Sequence, residues 1–169
     1  RRALSLHERP GNFDLDSLEH NIPEVRNVLK TMVKGDTLIG TEATKDTFLK
    51  IADSYQTILL STHGSFDNFV VEHSFIAFTE SPKGDKGSRY LLMPQVEAMT
   101  LNCDLLALGA CQTALGRLRK GEGVISLARM FAFAGAKSLL STLWSVNDKA
   151  SRELMEGFFI NLKAGQPKD

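Results

Sequence analysis

Cysteine is scarce in this chain: Cys103 and Cys111 are the only two in 169 residues. Two thiols cannot build a disulfide framework, and a chain of this length needs none to bury a core. Both are expected to be reduced, which suits the cytoplasm. Net charge is missing too, because twenty basic residues balance twenty acidic ones. No overall field then draws the chain to nucleic acid or to lipid, and neither is expected as a direct partner. No apolar run approaches the roughly 18 residues of a membrane-spanning helix. No secretory leader opens the chain, and no repeat or low-complexity tract interrupts it. What remains is ordinary globular composition, 43 % hydrophobic and 24 % charged, read as one domain over residues 1–169. The abrupt Arg1-Arg2 start, and the end at Asp169 just after a helix, suggest a fragment of a longer protein.

Against that plain background two segments stand out, Leu59-Leu60-Ser61-Thr62-His63-Gly64 and Leu106-Ala107-Leu108-Gly109-Ala110-Cys111. Each is an apolar run of strand length that ends in small residues and then a side chain capable of acid–base or nucleophilic chemistry. Such runs read as strands buried on both faces, as in a parallel sheet. Open α/β sheets place their ligands at the carboxyl ends of such strands. If the two strands are neighbours, His63 and Cys111 emerge side by side on one rim.

The rest of the pattern alternates strand and helix. Residues 3–6 read as a short strand, 9–12 as a turn, and 37–40 as a second short strand. Ile22, Val25, Val28, Leu29 and Met32 recur at helical spacing, with Pro23 in a first turn. Thr44 caps a helix running to Asp53, with Phe48, Leu49 and Ala52 as its inner face. Residues 57–62 form the strand before His63. Turn material at 82–87 joins 75–78 to 90–92, giving a β-hairpin inserted into the alternation. Phe66 and Phe69 read as core packing. A short helix at 94–99, the Cys111 strand at 104–110, a polar glycine-bounded loop at 116–123 and an apolar helix at 124–134 follow. A strand at 137–143 and an amphipathic helix at 148–162 complete the order. The expectation is an α/β domain with a mostly parallel central sheet and helices on both faces.

Taken singly, a cysteine on a buried strand is most simply a small packing residue, and Cys103 is read that way. The pairing of Cys111 with His63 supplies a chemical reason for both. A thiol with a free pKa of about 8.5 is only partly thiolate at neutral pH. A neighbouring imidazole can take its proton and later protonate a leaving amine. The backbone N–H groups of Gly64 and Cys111 are the natural donors to the tetrahedral oxyanion.

Three blocks resemble the CHAT domain, a caspase-like peptidase module related to separases and caspases: Ser61-Thr62-His63-Gly64, Gly109 to Gly116, and Gly121-Glu122-Gly123 through Ala136. The last continues into Ser141-Thr142-Leu143-Trp144-Ser145-Val146-Asn147-Asp148. The resemblance runs from about Gly40 to the end. It implies a caspase-like three-layer α/β sandwich and a His63–Cys111 dyad that cleaves a peptide bond in a protein substrate with no metal or organic cofactor. It also implies regulation by a fused or bound partner, such as a helical-repeat module. Members more often carry Ser or Thr before the Ala-Cys pair and Glu after it, where this chain has Gly109 and Gln112, which bears on specificity. By its likeness to separases, the last block assigns Ser141, Trp144 and Asp148 to substrate binding. Asp148 would hold a basic residue on the amino side of the scissile bond. The alternative for Asp148 is a helix N-cap. Two other functions stay open: a catalytically silent scaffold, and a phosphatase, because Cys111 and Arg117 are spaced as C-x5-R.

Overall fold

The computed structural model describes residues 15, 18–32, 34–67, 69–82, 89–109, 116–119, 123–142 and 147–168, with the side chains of 116–119 and 123–125 excepted. The expected strand at 3–6, the turn at 9–12, Cys111 and Trp144 lie outside them.

The organising element is a parallel sheet of three strands: β1 (Thr57–Leu60), β5 (Leu105–Leu108) and β8 (Leu139–Ser141), in the order β1-β5-β8. β5 is central and all four of its residues are buried. Its side chains alternate, so Leu106 and Leu108 enter one apolar cluster while Leu105 and Ala107 enter another. The first cluster is closed by α2 (Lys45–Ile51) through Phe48, by α3 (Met93–Glu97) through Val96 and by α4 (Leu127–Phe133) through Leu127 and Phe131. The second is closed by α1 (Asn21–Met32) through Val28 and by α5 (Asp148–Lys163) through Met155 and Phe159. Burying each of these leucines stabilises the fold by roughly 1.5–3 kcal/mol, which is why a strand apolar on both sides belongs between two helical layers.

The inserted hairpin is present. β3 (Phe75–Ala77) pairs antiparallel with β4 (Tyr90–Leu92), and β2 (Gly64–Ser65) adds to the other edge of β3. Thr44 caps α2 as expected, its hydroxyl oxygen accepting from Thr47 N–H at 3.2 Å. Gln95 secures the start of α3 by accepting the Leu92 N–H at 3.0 Å.

Five local expectations are corrected. Residues 37–39 form no strand; they have no ladder partner among the described residues, line the same cleft as β1 and enter a single 3-10 turn, Gly40–Glu42. Leu49 is 39 % exposed, because the inward stripe of α2 follows Phe48 and Ala52, one turn apart. Phe69 is 91 % exposed, whereas Phe66 does pack on the core. The segment read as a polar loop at 116–123 holds most of a hairpin, β6 (Gly116–Arg119) against β7 (Gly123–Ser126). The apolar helix accordingly starts at Leu127, not 124, since β-branched Val124 and Ile125 extend β7 and Ser126 caps α4 by accepting Arg129 N–H at 3.2 Å.

The end of α4 depends on a glycine. Gly135 has φ +115°, and a Cβ there would lie 2.2 Å from the Leu101 carbonyl oxygen. The close approach lets Leu101 N–H bond the Ala134 carbonyl at 2.6 Å, fixing the end of α4 against the segment that leads into β5. Cys103, in the same region, is fully buried, and burial pushes its thiol above the ordinary range. It behaves as the packing residue its setting suggested.

Candidate active site

The three parallel strands end level. Leu60 pairs with Leu108, and Leu108 with Ser141, so the carboxyl ends of β1, β5 and β8 form one rim. A last bond, Gly109 N–H to the Leu60 carbonyl at 2.9 Å, extends the β1–β5 ladder by one rung. Throughout this pairing, partners are 48 positions apart, from Thr57 with Leu105 to Leu60 with Leu108.

His63 follows β1 on this rim and is half-buried. Its backbone is fixed by the inserted hairpin, since its carbonyl accepts Ala77 N–H at 2.8 Å and the neighbouring Thr62 hydroxyl donates to the Ala77 carbonyl at 2.7 Å. Gly64 then faces Ile76. The bond from Ala77 to His63 marks Gly64 and Ile76 as a non-hydrogen-bonded pair, so the Gly64 N–H is turned away from β3. The hairpin thus does two things: it clamps the backbone of the histidine and turns the following amide outward.

A cleft of about 840 Å³ runs along the outer edge of β1 between α1, α2 and the 34–40 segment, and its lining reaches Ser61, Thr62 and His63. Beyond β5, Ser141 closes the rim as the last residue of β8. Asp148 stands in the first turn of α5 but is not its cap. Asn147 has that role, its side chain accepting Lys149 N–H at 3.0 Å. The Asp148 carboxylate instead accepts the backbone N–H of His20 at 2.8 Å, tying the start of α5 to the approach to α1.

Sequence reasoning missed Glu24. This residue of α1 is 1 % exposed, and its Oε1 is buried with no hydrogen-bond partner. It lies 3.3 Å from where a Cβ on Gly109 would stand. Burial pushes its carboxyl from 4.5 up to about 7; the nearby Ser61 hydroxyl opposes this, Asp148 and Glu156 add to it, and Arg152 offsets them in part. The signal in the sequence was its spacing, for Glu24 and Val28 are one turn apart on the same buried stripe. The charge concealed the pattern.

The rim does not favour the phosphatase reading. A phosphate cradle of the C-x5-R kind feeds directly into a helix N-terminus, whose amides hold the anion. Here Arg117 sits inside β6, paired with Ile125.

A parallel sheet between helical layers, with an acid–base side chain at the end of one strand, defines a mixed α/β protein of caspase-like fold. The chain matches the CHAT domain model over residues 6–169 and belongs to that family, which is related to the caspase-like peptidases. No curated protein matches it. Among the described residues, no helix is long and apolar enough to cross a membrane.

Proposed function

We propose that this chain is a cysteine endopeptidase, with Cys111 as nucleophile and His63 as its general base, within one catalytic domain. One observation carries the reading. The β1–β5 register has an offset of 48 residues, which is also the separation of His63 and Cys111. In sequence, His63 follows the end of β1 by three residues and Cys111 follows the end of β5 by three.

The chemistry follows. His63 takes the thiol proton, and the thiolate attacks the carbonyl carbon of the scissile bond. The resulting oxyanion is met by the N–H groups of Gly64 and Cys111. As the intermediate collapses, the imidazolium protonates the departing amine, leaving a thioester on Cys111. His63 then activates the water that hydrolyses it, and the thiol is restored. Asp148, with Ser141 and Trp144, holds a basic side chain on the amino side of the cleaved bond. A carboxylate that already accepts one backbone N–H still has lone pairs for a charge-assisted bond to a cation. A reducing compartment such as the cytoplasm suits a thiol nucleophile. Control by a fused or bound partner, for instance a helical-repeat module, fits the family.

Peptide-library cleavage by the full-length protein tests this. Cleavage after Arg or Lys is expected, abolished by Cys111→Ala and retained in Cys103→Ala. Cleavage surviving Cys111→Ala would overturn the assignment, and equal cleavage after Leu and Arg would remove Asp148 from it.

A further inference from the structure

We propose that Glu24 is a positioning residue whose protonated carboxyl keeps the last β1–β5 rung closed on the rim that carries His63, so that its ionisation loosens that rim. The inference deepens the peptidase reading by giving that site a pH-dependent support, and its structural half stands independently of catalysis.

The geometry is local and specific. The last rung joins Gly109 N–H to the Leu60 carbonyl. Gly109 has no side chain, and the space a Cβ would take is bounded by Glu24 Oε1 at 3.3 Å and by the Ser61 Cα at 3.4 Å. The Glu24 carboxyl therefore packs on the bare backbone of this rung. Ser61 precedes His63 by two residues and Gly109 precedes Cys111 by two. A displacement here is passed along both strand ends at once.

The surroundings suit a neutral acid and penalise an anion. Oε1 has no donor to meet a negative charge. From α5, Asp148 and Glu156 face Glu24 with like charge and Arg152 with opposite charge. Arg152 is committed elsewhere, its Nε donating to Glu156 at 2.6 Å, and Glu156 also accepts from Asn27 of α1 at 2.9 Å. Just past β1 comes the Ser61 hydroxyl, which favours the ionised form, and just past β5 the bare Gly109. Ser61 and Arg152 offset the cost of ionising Glu24 only in part, and the remainder is relieved by admitting water or withdrawing from Gly109. Either movement opens the rung.

Linkage gives the direction. In the opened state the carboxyl meets water and titrates in its ordinary range, whereas in the closed state it titrates near 7. Opening therefore becomes easier by about tenfold per pH unit between those two values and levels off above them. The test is amide hydrogen exchange at Gly109, read by NMR and corrected for intrinsic base catalysis. In the wild-type chain, protection of the Gly109 N–H should fall steeply from pH 5 to pH 7 and then flatten. In Glu24→Gln it should stay constant over that range. Identical profiles for the two proteins would overturn the proposal. Should Glu24→Gln not fold, the Glu24 carboxyl carbon of the wild type is titrated directly; a midpoint near 7 supports the proposal and one in the ordinary carboxylate range overturns it. In the full-length protein kcat/KM should decline through pH 7, and Glu24→Gln should remove that decline while KM holds. A pH-dependent rung without any cleavage would refute the peptidase reading and leave the rung intact as a finding.

Discussion

Glu24 shows what a single buried carboxyl does to the whole chain. Its folded value near 7 lies above the ordinary 4.5, so folding favours the protonated form. The contribution is fully present below about pH 4.5, is lost as pH rises through the interval to about 7, and is constant above it. The shift corresponds to about 3 kcal/mol across the interval, as an order of magnitude. Urea unfolding at pH 5 and pH 8 should therefore show Glu24→Gln gaining on the wild type by up to that amount as pH rises. A gain independent of pH would contradict this account. At this scale the sequence was legible at Cys103, read as a packing residue and found fully buried, and at Thr44, read as a cap and found accepting Thr47 N–H. Glu24 was not legible, because a charged residue in the first turn of a helix is ordinarily read as a partner for the helix dipole. Only its packing against Gly109, more than eighty residues away in sequence, reveals it.

Helices and strands here are set by their ends as much as by their faces. α5 is started by Asn147, and Asp148 is free of that duty, which allows its carboxylate to hold His20. Asn147→Ala should cost about 1 kcal/mol of stability, as for other lost N-caps. Asp148→Asn should cost less in thermal unfolding and more in cleavage after basic residues. A larger loss of stability from Asp148→Asn than from Asn147→Ala would make Asp148 chiefly structural. The amphipathic and doubly buried elements were readable because α1, α5, β1 and β5 carry clean periodicities. The hairpin β6–β7 was not, since two short strands separated by glycines have the composition of a loop. The ladder that pairs Leu118 with Val124 is a tertiary fact. The same holds at residues 37–39, where β-like composition found no strand to pair with.

At the scale of the molecule, the rim that carries His63 is set by two sheets meeting. The parallel sheet brings the ends of β1 and β5 level, and the small antiparallel sheet of β2, β3 and β4 clamps the segment between β1 and Gly64. The caspase-like layering was legible because a strand apolar on both faces has to lie between helices. The register was not, since alternation is satisfied by any even shift of one strand against its neighbour. The level rim it creates is the support for the central proposal, that His63 and Cys111 share one site. The most direct measurement is the pH dependence of Cys111 alkylation by iodoacetamide, followed by mass spectrometry of the Cys111 peptide in wild type and in His63→Ala. The account predicts a wild-type midpoint well below the free-thiol value of about 8.5, returning to about that value in His63→Ala. A profile unchanged by the loss of the imidazole would contradict it.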